Sequence, residues 1–275
     1  MITNVVVPLD GSPLAATAIE PARALAEATG ATLRLLAAEP LTCWREQIHE
    51  ANDYLEQQAA STGLPAVETL VVGDKAARQA ILVQSQVAGA VVCMATHGRS
   101  GMGHAALGSV AEAILHDSDR PLVLVGPSMT PAPPQLRHGN LLIAVDGSPA
   151  SDAIIPIASD WAQMLELRPW VVEVVPTPTS SVGDAPERTS ESATVRHIAQ
   201  GLHDGGMLAQ WEVLHDPDTA DALLDYANQL PAALIAMATH GRTGLARVAL
   251  GSVAMQVVHR SPCPVLVARS PNLVE

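Results

Sequence analysis

An internal repeat constrains the fold of this chain more than any other feature of its sequence. The segment MATHGRSG at 94–101 returns as MATHGRTG at 237–244. An earlier segment, VVVPLDGSP at 5–13, returns as LLIAVDGSP at 141–149. The repeated unit is far longer than the 20–50 residues typical of solenoid proteins. The sequence therefore predicts one domain written twice, rather than a repeat array.

Length and composition favour two domains with aliphatic cores. The 275 residues suffice for about two domains. Hydrophobic residues make up 48% of the chain, yet there is no Phe and there are only two Tyr, so Val, Leu, Ile and Ala must fill the interior. We expect a first domain over 1–126, a stiff Pro-rich linker over 127–139 and a second domain over 140–275.

Charge and cysteine content exclude several classes of partner. The formal net charge of −13 argues against nucleic acid and against an anionic membrane surface, because both attract clustered Lys and Arg. No apolar run approaches the ~20 residues of a membrane helix, and the first residues lack the features of a signal peptide. Three cysteines without a CxxC pair suit a reducing compartment. We expect a cytoplasmic protein that binds neither nucleic acid nor membrane.

Each copy alternates short apolar runs with amphipathic segments. This order predicts an α/β fold in which a doubly wound, mostly parallel sheet carries helices on both faces. Ser12 is the expected N-cap of the first helix, Pro13 its first residue, and Pro21 a bend within it. The predicted strands of the first copy are 2–9, 32–38, 66–72, 90–95 and 121–125, a further helix is predicted over 105–116, and the strands of the second copy lie near 140–145, 170–175, 210–215, 233–238 and 264–268.

Both repeated segments fall at the carboxyl ends of strands, where doubly wound sheets bind ligands. In the first copy Gly98 is followed, after nine intervening residues, by Gly108 and Ser109. This pattern has two interpretations. The glycines and the serine hydroxyl hold a phosphate at a helix N-terminus, or a flexible loop precedes a serine that caps the helix. Gly241, Gly251 and Ser252 repeat the pattern in the second copy.

Acidic and imidazole side chains lie beside these glycines. Asp10 and Asp146 either form an ordinary Asp-Gly turn or accept a hydrogen bond from a nucleotide base or ribose. His97 and His240 lack HxH or HExxH spacing. We therefore interpret them as loop histidines near a ligand or at the strand end, not as metal ligands or catalytic groups.

Four segments together resemble the universal stress protein family: VPLDGS and MATHGRSG, then LGSVAE and PCPVLV. The resemblance covers 2–126 and 139–269. It implies a five-stranded sheet of order 3-2-1-4-5 in each domain. It also implies that the two last strands pair across a pseudo-two-fold axis, so that the chain is an internal pseudo-dimer; whether two chains form a homodimer stays open.

The same resemblance implies an adenine nucleotide as ligand, ATP or AMP, with Mg²⁺ accompanying ATP. The family motif is Gly-x-x-Gly, nine residues, Gly-Ser/Thr. Ala95 and Ala238 replace its first glycine, and each added methyl costs about 1–2 kcal/mol of overpacking unless the ribose shifts. The residues that the resemblance assigns to nucleotide binding are Pro8, Asp10, Ala37, Ala95, His97, Gly98, Gly108, Ser109 and Val110 in the first copy, and Asp146, Val174, Ala238, His240, Gly241, Gly251, Ser252 and Val253 in the second.

Three functions compete at this point. The first is a stress-response regulator controlled by a nucleotide, the second a nucleotide-free module that recruits a protein partner, and the third an ATP hydrolase. No residue stands out as a base next to the γ-phosphate, so we expect no enzyme, with slow hydrolysis at most a side activity. The first copy, with Pro8 and a loop richer in glycine, is expected to accept a ligand more readily than the second.

Overall fold

The computed structural model describes residues 1–39, 45–73, 76–98, 107–129, 135–177, 188–241 and 250–269, without the side chains of 39, 45–47 and 188–192. Strands and helices alternate through both repeats. The first repeat contains β1 (Asn4–Pro8), α1 (Pro13–Ala16), α2 (Ile19–Thr29), β2 (Thr32–Glu39), α3 (Arg45–Thr62), β3 (Val67–Gly73), α4 (Ala77–Ser85), β4 (Ala90–Ala95), α5 (Ser109–Asp117) and β5 (Leu122–Val125). The second contains β6 (Asn140–Val145), α6 (Pro149–Asp152), α7 (Ile154–Leu165), β7 (Arg168–Val175), α8 (Arg188–Asp204), β8 (Gln210–His215), α9 (Thr219–Gln229), β9 (Ala232–Ala238), α10 (Ser252–Arg260) and β10 (Val265–Ala268).

The two repeats share one ten-stranded sheet of order β3-β2-β1-β4-β5-β10-β9-β6-β7-β8. Each half is parallel and has the expected order 3-2-1-4-5. The halves join through β5 and β10, which pair antiparallel with Val265 opposite Leu124. The predicted α/β class and the predicted pairing of the last strands are confirmed, and this pairing fuses the two five-stranded sheets into one.

Aliphatic side chains form a core on each face of the sheet. Along β1, Val5 and Val7 enter one core and Val6 the other, and all three are fully buried. Strands covered on both faces by helices read as continuous apolar runs instead of alternating ones. This explains the unbroken Val and Leu runs in the sequence.

The first helix of each repeat is broken. Ser12 Oγ accepts a hydrogen bond from Ala15 N at 3.1 Å, and Pro13 is the first helical residue, as predicted. The expected bend at Pro21 is instead a break between α1 and α2 at residues 17 and 18, and Pro21 is the third residue of α2. Pro21 has no N–H to donate to the preceding turn, and Pro156 occupies the matching third position of α7.

The helix before β5 starts later than predicted. Leu107 and Gly108 are not helical, and α5 begins at Ser109, so a start at 105 is wrong. Gly108 is extended, with φ −62° and ψ 146°. Residues 130–134 of the predicted linker lie outside the described residues, and the domain bounds stay a prediction. No helix in the described part of the chain is long and apolar enough to cross a membrane.

Candidate functional site

Two matching cavities open at the carboxyl ends of the strands, between β1 and β4 in the first repeat and between β6 and β9 in the second. Site 1 has a volume of about 270 Å³ and site 2 about 300 Å³, the lower end of the range for small-molecule pockets. Site 1 is lined by Pro8, Asp10, Leu36, Ala38, Ile81, Met94, Ala95, His97, Gly98, Gly108, Ser109 and Val110, among others. Site 2 is lined by Ala144, Asp146, Val174, Pro176, Leu223, Met237, Ala238, His240, Gly241, Gly251, Ser252 and Val253, among others.

Every residue assigned to the second copy lines site 2, and those of the first copy line site 1 with one exception. The side chain of Ala37 packs in the core on the opposite face of the sheet. The strand register relates the two copies, since Pro8 pairs with Leu36 and Ala144 with Val172. Val174 therefore corresponds to Ala38, one residue beyond the position chosen from the sequence.

The aspartate and the loop glycine of each site pack against each other. Asp10 Oδ1 accepts hydrogen bonds from Ser12 N at 2.9 Å and from Ser12 Oγ at 2.6 Å, which is the turn interpretation. A Cβ atom on Gly98 would overlap Asp10 Oδ2. Gly98 is therefore needed to leave room for the carboxylate of Asp10. The sequence pattern did not indicate this requirement.

The second repeat reproduces this arrangement. Asp146 Oδ1 accepts from Ser148 N at 2.9 Å and from Ser148 Oγ at 2.6 Å. A Cβ on Gly241 would overlap Asp146 Oδ2. The turn at the end of the first strand and the loop after the fourth are therefore held together in the same way in both sites.

The last glycine of each motif, Gly108 or Gly251, holds the end of the loop against the strand. Gly108 N donates to Thr96 O at 2.8 Å, and a Cβ on Gly108 would lie 3.0 Å from the same oxygen. Gly251 N donates likewise to Thr239 O at 2.8 Å. These two amides therefore already have an acceptor within the protein.

The N–H groups left for a ligand follow Gly108, in the first turn of α5. Ser109, Val110 and Ala111 are the first residues of α5, whose leading N–H groups have no acceptor within the helix. Gly108 is the N-cap and no side chain caps the helix. The interpretation of Ser109 as an N-cap is therefore wrong, and its hydroxyl lines site 1 instead. α10 begins in the same way, with Gly251 as N-cap and Ser252 first.

An apolar slot faces each helix start. In site 1 it is formed by Pro8, Leu36, Ala38, Ile81 and Met94; in site 2 by Ala144, Val174, Pro176, Leu223 and Met237. Ala95 and Ala238, the last residues of β4 and β9, also line the two cavities, and both cavities remain open with these alanines in place. A flat aromatic ring beside an anionic group is the ligand shape that such a site fits.

The two motif histidines follow directly on the strand ends. His97 Nδ1 lies 3.0 Å from Thr96 Oγ1, and His240 Nδ1 lies 3.2 Å from Thr239 Oγ1. The His97 ring also meets the ring of His259 from the second repeat, edge to face, with centroids 4.9 Å apart. Within the described residues, no group of three His, Cys, Asp or Glu side chains could hold a metal ion. Arg99 and Arg242, the loop arginines, lie outside the described residues.

Site 2 has a polar group beneath its aspartate that site 1 lacks. Asp146 N donates to Ser151 Oγ at 3.1 Å, whereas Ala15 occupies this place in site 1. Asp152 follows, with Oδ1 buried and without a hydrogen-bond partner among the described residues. Burial, and then the charge of Asp146, raise the pKa of the Asp152 carboxyl.

The described cysteines are core residues. Cys93 and Cys263 are buried, and burial raises the pKa of each thiol to about 12. A reactive thiol needs a lowered pKa and access to solvent. Neither described thiol has these properties, so Cys93 and Cys263 act as small core residues.

Comparison with known proteins identifies relatives over the whole length. The sequence profile of the universal stress protein family matches residues 1–126 and 138–269. A universal stress protein of Mycobacterium tuberculosis is 26% identical over 311 aligned residues, which cover 98% of this chain and 96% of the relative. A Mycobacterium bovis protein of the same family gives the same values.

Solved structures share the fold. A universal stress protein from Archaeoglobus fulgidus superposes with a TM-score of 0.72 and 20% identity, covering 97% of this chain and 98% of its own. A protein described as a putative universal stress protein, from Pseudomonas aeruginosa, gives a TM-score of 0.63 and 22% identity, covering 98% and 94%. At these identities the structures establish the arrangement of strands and helices.

Proposed function

This chain belongs to the universal stress protein family, and on that premise we propose that it is a stress-response regulator that binds an adenine nucleotide, ATP or AMP, at one or both of its sites. The observation that carries the proposal is the pairing, in both repeats, of an uncapped helix N-terminus with an apolar slot. The two features meet in one cavity at the carboxyl end of the sheet.

The phosphates would bind at the starts of α5 and α10. Leading N–H groups and the helix dipole attract an anion there. This local attraction matters because the whole chain carries a formal charge of −13. The hydroxyls of Ser109 and Ser252 add one further donor each, since neither serves as a cap.

The adenine ring would occupy the apolar slot, with Pro8, Leu36 and Met94 among the side chains that it covers in site 1. The carboxylates of Asp10 and Asp146 would accept a hydrogen bond from the base or ribose. Each keeps only part of its capacity for this, because Oδ1 already accepts from a serine. Mg²⁺, where ATP is the ligand, would bind to the phosphates and reduce their charge.

The proposal is binding without rapid turnover. Among the described residues, the titratable side chains that line site 1 are Asp10 and His97, and those of site 2 are Asp146 and His240. Asp10 and Asp146 are engaged in their turns, and each histidine has Nδ1 beside a threonine hydroxyl. General-base catalysis needs a group within hydrogen-bond reach of the attacking water, and we assign that role to none of them.

Calorimetric titration of nucleotide-stripped protein tests the proposal, with ATP, AMP and GTP, each with and without Mg²⁺. We expect a dissociation constant near micromolar for ATP or AMP, about −8 kcal/mol, and weaker binding of GTP, whose base carries a carbonyl at the position of the adenine amine. No heat and no thermal shift at millimolar ATP and AMP would contradict the proposal and favour the nucleotide-free module that recruits a protein partner.

A further inference from the structure

Helix α10 connects the two sites. Its first residue, Ser252, lines site 2. Its last turn contains His259, whose ring meets the ring of His97 at an interplanar angle of 88°. His97 lines site 1. At 1.5 Å per residue, Ser252 and His259 are about 10 Å apart along the helix. The N-terminus of α10 therefore lines site 2, and its last turn contacts a residue of site 1.

A glycine allows this approach. Gly126 follows β5, and a Cβ on it would overlap Val258 O in the last turn of α10. The end of α10 thus packs directly on the backbone of the first repeat. His259, next to Val258, is buried, with 5% of its surface exposed.

The pseudo-symmetric position lacks the contact. Arg269 stands after β10, where Gly126 stands after β5, and its Nη1 donates to His116 O at 2.9 Å. His116 corresponds to His259 on α5, but its side chain is 66% exposed and its Nδ1 pairs with Asp117. A glycine on one side and an arginine on the other thus make the interface asymmetric at this point.

We propose that His259 is a positioning residue for site 1, an inference that rests on the proposed nucleotide binding. Its ring fixes the orientation of His97 at the edge of the cavity before the ligand arrives. His97 Nε2 makes no hydrogen bond within the described part of the chain, so it is the nitrogen left for a ligand. Site 1 is completed by the second repeat, whereas site 2 receives no such contribution from His116.

The test uses full-length proteins that retain one site each. Gly251→Val leaves site 1 and Gly108→Val leaves site 2, and ATP is titrated into both. We expect His259→Ala to weaken ATP at site 1 by about three- to ten-fold, the effect of losing an edge-to-face ring pair, and to change site 2 by less than about two-fold. His259→Phe, which keeps a ring in place, should restore site 1. The matched control, His116→Ala, should change neither site.

A ligand-free measurement separates this inference from the proposed function. The measurement is made without nucleotide on proteins with both sites intact. Relative to wild type, His259→Ala should shift the ring-proton NMR signals of His97, and His116→Ala should leave them unchanged. Unshifted His97 signals would overturn the inference even if ATP binds. Equal losses at both sites, or no rescue by His259→Phe, would also overturn it, because they indicate a general structural role. If neither single-site protein binds ATP while the His97 signals still shift, the proposed function is overturned, and so is the role of His259 in nucleotide binding. Only the contact between the His97 and His259 rings would then stand.

Discussion

Site 1 and site 2 share a frame, by which we mean the aspartate turn and the hydrogen bond that closes the loop. They differ in their walls, the side chains that line the cavity. The turn distances from the aspartate to the serine are 2.9 and 2.6 Å in both, and the bond that closes the loop is 2.8 Å in both. By contrast, Pro8 in site 1 is replaced by Ala144 in site 2, and Ala15 by Ser151. The frame positions the helix start and the walls shape the slot. Differences in ligand preference between the sites should therefore arise at the base and not at the phosphates.

The largest expected effect comes from closing one site at the glycine that precedes the helix, Gly108 or Gly251. Gly108→Val should reduce nucleotide affinity at site 1 by more than about 100-fold, and Gly251→Val should do the same at site 2, because a branched side chain enters the cavity beside the helix start. The Cβ lies 3.0 Å from Thr96 O in the first case and 3.2 Å from Thr239 O in the second. Gly108→Val should also destabilise the fold more, by about 1–3 kcal/mol.

Calorimetric stoichiometry and chemical denaturation check this pair. Each single variant should bind one nucleotide fewer than wild type if both sites are active, and the double variant none. Full stoichiometry in Gly108→Val would show that the ligand does not approach α5, and that site 1 is wrongly assigned.

A smaller effect on nucleotide binding is expected at the glycine that packs on the aspartate, Gly98 or Gly241. Gly98→Ala or Gly241→Ala forces a methyl group onto the carboxylate of Asp10 or Asp146. We expect about 1–3 kcal/mol lower stability for each and roughly ten-fold weaker binding at the altered site, since the aspartate must leave its turn. The double variant Gly98→Ala/Asp10→Ala should be more stable than the sum of its parts. Simple additivity in denaturant melts would refute the overlap as the cause.

The frame could be predicted from the sequence because it repeats. The strands, the order 3-2-1-4-5 and the pairing of β5 with β10 follow from alternation and from the family resemblance. Asp10, Gly98 and Ser109 line one cavity because the carboxyl ends of β1 and β4 meet there.

The roles of the glycines and the register of β2 could not be predicted. A glycine that makes room for the protein's own carboxylate has the same sequence pattern as one that makes room for a ligand. An apolar strand buried on both faces gives no alternation, so Ala37 could not be distinguished from Ala38. His259 carried no sequence signal either, since its contact depends on Gly126 and on the pairing of the last strands.

Removing one hydroxyl should have a modest effect. Ser109→Ala and Ser252→Ala should each weaken nucleotide binding at their own site by about five-fold, near 1 kcal/mol, the value of one hydrogen bond. Neither should lower stability, because neither serine caps its helix. Ser12→Ala is the matched control and should cost about 1 kcal/mol of stability, since Ser12 does cap α1. Lower thermal stability of Ser109→Ala, equal to that of Ser12→Ala, would contradict the assignment of its hydroxyl to the ligand.

The smallest expected effect concerns the acidic pair in the second repeat. Asp152 corresponds to Ala16 in the first repeat, and its pKa is raised above the ordinary value of 3.8 by burial and by Asp146. The folded state therefore holds this proton more tightly than the unfolded state, and the contribution of Asp152 to stability is lost as pH rises from below 3.8 through the raised pKa. Asp152→Ala removes that loss. We expect it to be more stable than wild type at neutral pH by about 1 kcal/mol or less, a shift of roughly 2–4 °C in melting temperature.

Melting curves between pH 3 and pH 7 check this expectation, since the gain from Asp152→Ala should shrink as the pH falls and Asp152 takes up its proton in both states. The reverse exchange, Ala16→Asp, places the second carboxylate beneath Asp10 and should give the first repeat the same loss at neutral pH. A gain that is independent of pH would mean that Asp152 destabilises the fold through packing and not through its charge. The two exchanges together would then show that the polar groups under site 2 are a local variation in packing, and that the electrostatics of the two sites are alike.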